Sequence, residues 1–390
     1  MSGLTFINAG SAGTDVRTLR VAGARIAAVG EQPHKGDRVI DLRGDRLLPG
    51  LINAHDHLQL NSLPVLGFDK QYRHVREWIA DVDARRKTDP AFKAGVAVPR
   101  DERLLVGGVK NLLSGVTTVA HHDPLYPGLL DARYPTRVIA DFGWSHSLYV
   151  DGEEKVRASY LGTPADQPWV IHAGEGVDAE AGSEFDRLEQ LGCLHSNTLL
   201  VHGIALTSAQ RLRLDSAAAG LIWCPSSNLR LFGQTADVSE LAFRGRVALG
   251  TDSRLSGDRD LLEELRVAAD EGGLDETTLE SLVTSASARL LRLPDRGALR
   301  AGALADLLIV PAGLPLSRAS RSDVRLVMLD GRARYGDKEY AQGATPAADW
   351  AEVRVDGRSK VLDSGLAAQL RAVQAREPGV ELANATSRAA

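Results

Sequence analysis

The sequence predicts an α/β protein: a (β/α)8 TIM-like barrel, compressed at its third and fourth units, with a small β-sandwich domain formed by both chain ends. Three observations predict it. Short β-branched stretches fill residues 4–48 with no helix-length pattern between them. From about residue 50, apolar runs with polar ends alternate with helix-like stretches. After residue 297 strand patterns return. Repeated strand–helix alternation implies parallel βα units, and seven or eight of them in about 250 residues fit a barrel. The expected boundaries are 1–49 and 297–390 for the two parts of the small domain and 50–296 for the barrel.

In order, LTFINA, TLRVAGARIAAVG and RVIDLRG read as strands punctuated by Gly and Asp turns. The barrel strands are expected in LLPGLINAHDH (47–57), VTTVAHH (116–122), RVIADFGWSH (137–146), WVIHAGE (169–175), TLLVHG (198–203), GLIWCPSSN (220–228) and RVALGTDS (246–253). Helical patterns lie between them at 75–86, 102–115, 184–192 and 206–220, and after them at 260–272 and 278–293. Only one clear strand is visible between residues 122 and 168. Strands three and four are therefore either joined by a minimal turn or one unit is degraded. Beyond 297, GALRAGALADLLIVPA, VRLVMLDGRARYG and AEVRVDGRSKVLD read as strands with DG turns. A helix is expected at 365–375, and the tail from Arg376 is expected to be loosely held.

Composition narrows the function. The net charge of −5 favours neither nucleic acid nor an anionic membrane as partner. Two cysteines, Cys193 and Cys224, exclude a disulfide scaffold and suit a reducing compartment. The N-terminus lacks a basic region followed by a long apolar one, and no stretch approaches the ~20 apolar residues of a membrane span. A cytoplasmic enzyme is the expectation.

In a barrel of this kind chemistry sits at the C-terminal strand ends. His55 and His57 stand one residue apart, so in a strand they share a face. Alone, such a pair is either a metal pincer or an accident. But His172 ends the IHAGE run with Glu175 three residues on, His202 ends LVHG, and Asp252 ends ALGTDS. Of 10 histidines, four fall at the expected catalytic ends of three strands. Imidazole and carboxylate suit zinc, and acceptably iron or manganese. A metal with an open position lowers the pKa of bound water to ~7, and a neighbouring acid or base then moves protons.

These motifs resemble the amidohydrolase superfamily, and most closely its branch of triazine hydrolases and guanine and cytosine deaminases. The matching pieces are VAGARIAAVG, VIDLRGDRLLPGLINAHDH, SGVTTV, IHAGE, LVHG, CPSSNLRL, ALGTDS and GALRAGALADLLIV, over roughly residues 18 to 312. The resemblance implies one divalent metal, zinc first and iron second, held by His55, His57, His172 and Asp252. Glu175 would shuttle a proton to a ring nitrogen, and His202 would orient or polarise the water and the developing oxyanion. Asp252, also a base, would take the proton from the attacking water. Binuclear relatives use a carbamylated lysine at the fourth strand end. Here the only lysine between 122 and 172 is Lys155, in an expected helix, so a single metal is expected.

Gln59, His122, Trp144 and His146 are candidate substrate contacts, Trp144 as a stacking wall or a packed core residue. Asn228 and Ser226 of CPSSN are read as loop braces, Cys224 as structural, and Asp56 as an anchor of the strand end. The implied reaction is deamination of an aminated purine, pyrimidine, pterin or triazine with release of ammonia. The alternatives are ring-opening hydrolysis of a cyclic amide, imidazolone-like, or a non-catalytic binding protein on the same fold. A small-molecule substrate and a homo-oligomer, such as a dimer, are the expected partners.

Overall fold

The computed structural model describes residues 3–10, 16–66, 69–374 and 376–383. Strands β1 (Leu4–Ile7), β2 (Leu19–Ala22), β3 (Arg25–Val29) and β4 (Arg38–Asp41) form a sheet in the order β3-β2-β1-β4. Strand β5 (Arg46–Pro49) leaves this sheet. It pairs antiparallel with β14 (Leu307–Val310), from the other half of the chain. Seven strands, β19-β17-β18-β16-β15-β14-β5, make that second sheet. Its members from the C-terminal side are β14, β15 (Leu326–Leu329), β16 (Arg332–Gly336), β17 (Trp350–Val355), β18 (Arg358–Asp363) and β19 (Val380–Leu382). Phe6, Leu19 and Ile26 share one apolar core with Leu307, Ile309 and Met328. The two sheets thus bury their alternating apolar faces against each other.

Between these ends run eight strands whose recorded pairings are all parallel. They are β6 (Leu51–Asp56), β7 (Val116–His121), β8 (Arg137–Val138), β9 (Gly143–Ser147), β10 (Trp169–Ala173), β11 (Thr198–His202), β12 (Gly220–Trp223) and β13 (Val247–Leu249). The sheets run β6-β7-β8 and β13-β12-β11-β10-β9. A single parallel bridge, Asp56–Asp252, joins β6 to the end of β13. Among the described residues no strand pairing joins β8 to β9, so the ring of hydrogen bonds is not closed. The run RVIADFGWSH is two strands separated by four residues, with no intervening helix. The third and fourth strands are therefore joined by a minimal turn.

Helices cover these sheets because their apolar stripes match the buried strand faces. The helix Arg100–Leu113 buries Leu104, Leu105, Val109, Leu112 and Leu113. Gly107 lets it approach the chain just after β6, where an added Cβ would lie 2.3 Å from the Leu58 carbonyl oxygen. The pattern expected as one helix over 278–293 is two, Glu276–Leu282 and Ser285–Leu290, broken at Thr284. The CPSSN element is a helix start: Pro225 opens Pro225–Phe232, where its missing N–H costs nothing. From residue 376 to 383 the tail is held rather than loose. Glu377 is buried and residues 380–382 pair with β17. Residues 384–390 of that tail lie outside the described residues, as do Gly67 and Phe68 in the loop after β6. No helix among the described residues is long and apolar enough to cross a membrane.

Candidate metal centre and proton-transfer site

Strands β6, β10 and β11 deliver their histidines to one rim, and the turn after β13 adds Asp252. His55, His57, His122 and His172 are buried, with one ring nitrogen of each within 4.8 Å of the others. Hydrogen bonds assign the ring nitrogens. His57 Nδ1 is 2.7 Å from Asp123 Oδ2. His172 Nδ1 donates to the His146 carbonyl at 2.7 Å. His122 spends Nε2 on the Ser145 carbonyl at 2.9 Å, so its Nδ1 accepts from His55 Nδ1 at 3.2 Å. All three Nδ1 atoms of His55, His57 and His172 are therefore occupied, so their Nε2 atoms are the ones turned inward, bare on His55 and His172.

Those bare atoms converge. His55 Nε2 and His172 Nε2 are 3.2 Å apart. Asp252 Oδ1 lies 3.9 Å from His55 Nε2 and 3.7 Å from His57 Nε2. Its other oxygen, Oδ2, accepts from Ser256 Oγ at 2.7 Å. Two nitrogen lone pairs facing each other at this range repel unless a cation lies between them. Three imidazoles and a carboxylate are also a donor set suited to one zinc ion. The residues present fit a divalent metal. Burial holds His55 and His172 well below the usual imidazole range, and so neutral. Burial also opposes charge on His57, but Asp123 beside it prevails and takes it up to about 9. The carboxylates that favour a proton there favour a metal cation in its place.

Beside this cluster lie an acid and a base. Burial first, then the Asp252 and Glu184 carboxylates, push Glu175 well above the usual carboxylate range, which favours its protonated form. Its Oε1 is 3.5 Å from His202 Nε2. His202 Nδ1 donates to Asn228 Oδ1 at 2.8 Å, and burial keeps the ring neutral, leaving Nε2 as an acceptor. Glu184 accepts the Gly174 N–H at 2.7 Å and so braces the turn that carries Glu175. His202 (φ 74°) and Asp252 (φ 53°) both sit in the left-handed backbone region. For residues with a Cβ this costs roughly 1–2 kcal/mol each, a strain that recurs at functional sites.

The candidate substrate contacts differ in placement. His122 has both nitrogens engaged by protein groups. Gln59 gives its amide N–H to Asp123 at 2.7 Å and keeps a buried oxygen without a partner. Trp144 is half-buried, edge-on to His122 with centroids 5.3 Å apart. His146 lies 4.8 Å from the His172 ring, with a buried Nδ1 that has no partner. Asp56 points away from the cluster, accepting from Asn61 Nδ2, Asn111 Nδ2 and the buried Lys110 ammonium. Lys155 is exposed on the helix Glu153–Gly162. Cys224 is fully buried and its thiol pushed well up by burial. Ser226 donates its backbone N–H to Glu264, and Asn228 holds His202.

Asp123 was not singled out in the sequence, although AHHD, two histidines followed by an acid at a strand end, was the available signal. Ser256 and Glu184 carry none.

Parallel strands that carry histidines and a carboxylate to one rim define the class: an α/β fold with a candidate metal-dependent hydrolytic site. The family comparison agrees. Residues 153–334 match the Amidohydrolase family. It is similar to a 5-methylthioadenosine/S-adenosylhomocysteine deaminase of Halobacterium salinarum, 28% identical over 387 residues, covering 83% of this chain and 89% of the relative. It is also similar to a 5'-deoxyadenosine deaminase of Methanothrix thermoacetophila, 26% identical over 389 residues, covering 88% and 92%. Among solved structures it resembles a zinc-bound adenosine deaminase from Xanthomonas campestris (TM-score 0.67, 20% identity, 85% and 93% covered). An atrazine chlorohydrolase from Arthrobacter aurescens in complex with zinc is also similar (TM-score 0.69, 20% identity, 85% and 94% covered). At that identity these two likenesses concern the fold.

Proposed function

We propose that this protein is a metal-dependent aminohydrolase that deaminates an aminated N-heterocycle, an adenine-type purine first. The observation that carries the reading is the convergence of three histidine Nε2 atoms and Asp252 Oδ1 beside a buried Glu175. The names of the sequence relatives support the substrate class. His55, His57, His172 and Asp252 would hold one divalent ion, zinc first, with Asp123, His122 and the His146 carbonyl fixing the ligand rings. Such an ion supplies Lewis acidity, lowering the pKa of a water to ~7.

The chain's own groups do the rest. His202 Nε2, a bare acceptor, orients the water. Asp252 Oδ1 takes a proton from that water as its oxygen adds to the ring carbon. Glu175 delivers its proton to the adjacent ring nitrogen. Asp252 then passes the water's proton to the amino group, the added hydroxyl returns its own proton to Glu175 as the ring carbonyl forms, the carbon–nitrogen bond breaks, and ammonia leaves. Burial beside like charge raises Glu175 and so favours the proton-donating form. His146 Nδ1 and Gln59 Oε1, both without partners, are the groups offered to the substrate.

The eight parallel strands are read as a (β/α)8 barrel over 50–296, with a small β-sandwich from 1–49 and 297–390. The shared core of the two end sheets supports this division. A cytoplasmic location is supported by two free, buried cysteines. A homo-oligomer is proposed from the family resemblance.

The test is ammonia release by the zinc-loaded protein from aminated purines and their nucleosides, pyrimidines, pterins and triazines. Release from the adenine-type compounds is expected. Silence across the panel with zinc bound would refute deamination and favour ring-opening hydrolysis of a cyclic amide.

A further inference from the structure

Where β6 meets β13 the rim is joined by a single parallel bridge. Backbone contacts there are few: Thr251 N and Asp252 N donate to the His55 carbonyl at 2.9 and 3.1 Å, and His57 N to the Asp252 carbonyl at 3.3 Å. Side chains reinforce the seam. Asn61, just after β6, donates to Asp56 Oδ1 at 2.7 Å. Its own side-chain oxygen accepts the Arg254 N–H at 3.0 Å, and its carbonyl accepts Arg254 Nη1 at 3.0 Å. Arg254, two residues beyond Asp252, thus ties the segment carrying Asp252 to the segment carrying His55 and His57.

Arg254 is itself held by the far end of the chain. Glu377 meets its guanidinium at two points, Nη1–Oε2 at 3.1 Å and Nη2–Oε1 at 2.9 Å. Glu377 Oε1 also accepts from Arg321 Nη1 at 2.5 Å. All three side chains are buried. A buried guanidinium that loses its carboxylate is left uncompensated and is driven toward water. For Arg254 that movement pulls against both bonds to Asn61 and against the turn bearing Asp252 and Ser256.

We infer that Glu377 is a positioning residue for the metal-binding rim: the C-terminal segment clamps Arg254 and thereby holds Asp252 in register with His55 and His57. The inference rests on the metal reading of those residues. It gives the segment leading into β19 a role in the site, about 120 residues along the chain from Arg254.

The experiment compares E377Q with D356N. Asp356 belongs to the same ion cluster but pairs with Arg321 and Arg259 rather than Arg254. Zinc affinity is measured by competition with a chromophoric chelator, and amide exchange of residues 251–257 is followed in the metal-free protein. E377Q should bind zinc about tenfold more weakly or worse, the scale for an outer partner of a metal ligand. Its 251–257 amides should exchange faster than those of D356N, which should keep wild-type zinc affinity. E377D, one methylene shorter, should fall between wild type and E377Q, and it replaces E377Q if that variant does not fold. Unchanged affinity and protection in E377Q, or an equal loss in D356N, would overturn the clamp. A wild-type protein that binds no zinc would overturn the metal reading instead, and the exchange comparison would then decide the clamp alone.

Discussion

Replacing Asp123 with Ala tests the outer shell of the proposed centre. Asp123 Oδ2 is 2.7 Å from His57 Nδ1 and also accepts from Gln59. A carboxylate in that position fixes the ring and raises the basicity of the opposite nitrogen, and its loss costs about 10–100-fold in metal affinity. At ~1.4 kcal/mol per tenfold, that is roughly 1.4–2.8 kcal/mol. A second effect has the opposite sign. With Asp123 present His57 is held up to about 9, so at pH 7 a metal must displace a proton from it. Tenfold per pH unit over two units gives a proton penalty of about 100-fold in the wild type. Without Asp123, burial dominates at His57 and the penalty disappears. Zinc affinity measured by chelator competition should therefore be about 10–100-fold weaker in D123A at pH 9 and above. The gap should narrow or vanish toward pH 7. Equal affinities at pH 9, or a gap that widens toward pH 7, would refute the assignment of His57 Nε2 as a ligand braced by Asp123.

Other expectations are simpler. His55→Ala or Asp252→Ala should lower bound zinc, read by elemental analysis, and abolish turnover; full metal content in either variant would contradict the ligand set. Glu175→Gln should retain zinc and lose rate by ~10² or more, the scale of a missing proton shuttle; an unimpaired variant would remove Glu175 from the mechanism. Glu264 is raised from 4.5 to about 8 by burial, so the folded state keeps a proton that the unfolded chain has lost. Stability should accordingly fall as pH rises between those values. Glu264→Gln, which mimics the protonated acid, should flatten the dependence of the melting temperature on pH in that window; an unaltered slope would count against it. Gly107→Ala drives a methyl group into the Leu58 carbonyl and should cost about 1–3 kcal/mol in denaturant unfolding, a loss an easily shifting helix would not show.

Much of the fold was legible because an apolar run with a polar end is a local pattern. That is how β6, β7, β10, β11 and β13 announce themselves. What was hidden depends on interruptions that do not change local polarity. RVIADFGWSH stays apolar across its break, so β8 and β9 read as one strand. The helical pattern over 278–293 continues through Thr284, whose backbone leaves the helical region (φ −135°, ψ −98°). Glu377 shows the converse. A lone acid near the chain end reads as solvated, and only the approach of Arg254 and Arg321 makes it a buried ion pair.

The proposed site divides along the same line. His55, His57, His172, His202, Glu175 and Asp252 were readable because strand ends deliver them, and period two puts the first two on one face. The groups that decide which nitrogen each ring presents were not readable. Two of them are backbone carbonyls, of His146 and Ser145, which exist at every residue and leave no mark in a sequence. His122 was visible as a residue but not as a brace, because its role depends on its Nδ1 meeting His55 Nδ1, which only the pairing of β6 with β7 arranges. The donors of such a site are thus written in the strands, whereas their tautomers are written in the packing. A sequence that kept all six residues but lost these braces would still look like a hydrolase, with its Nε2 atoms no longer held convergent.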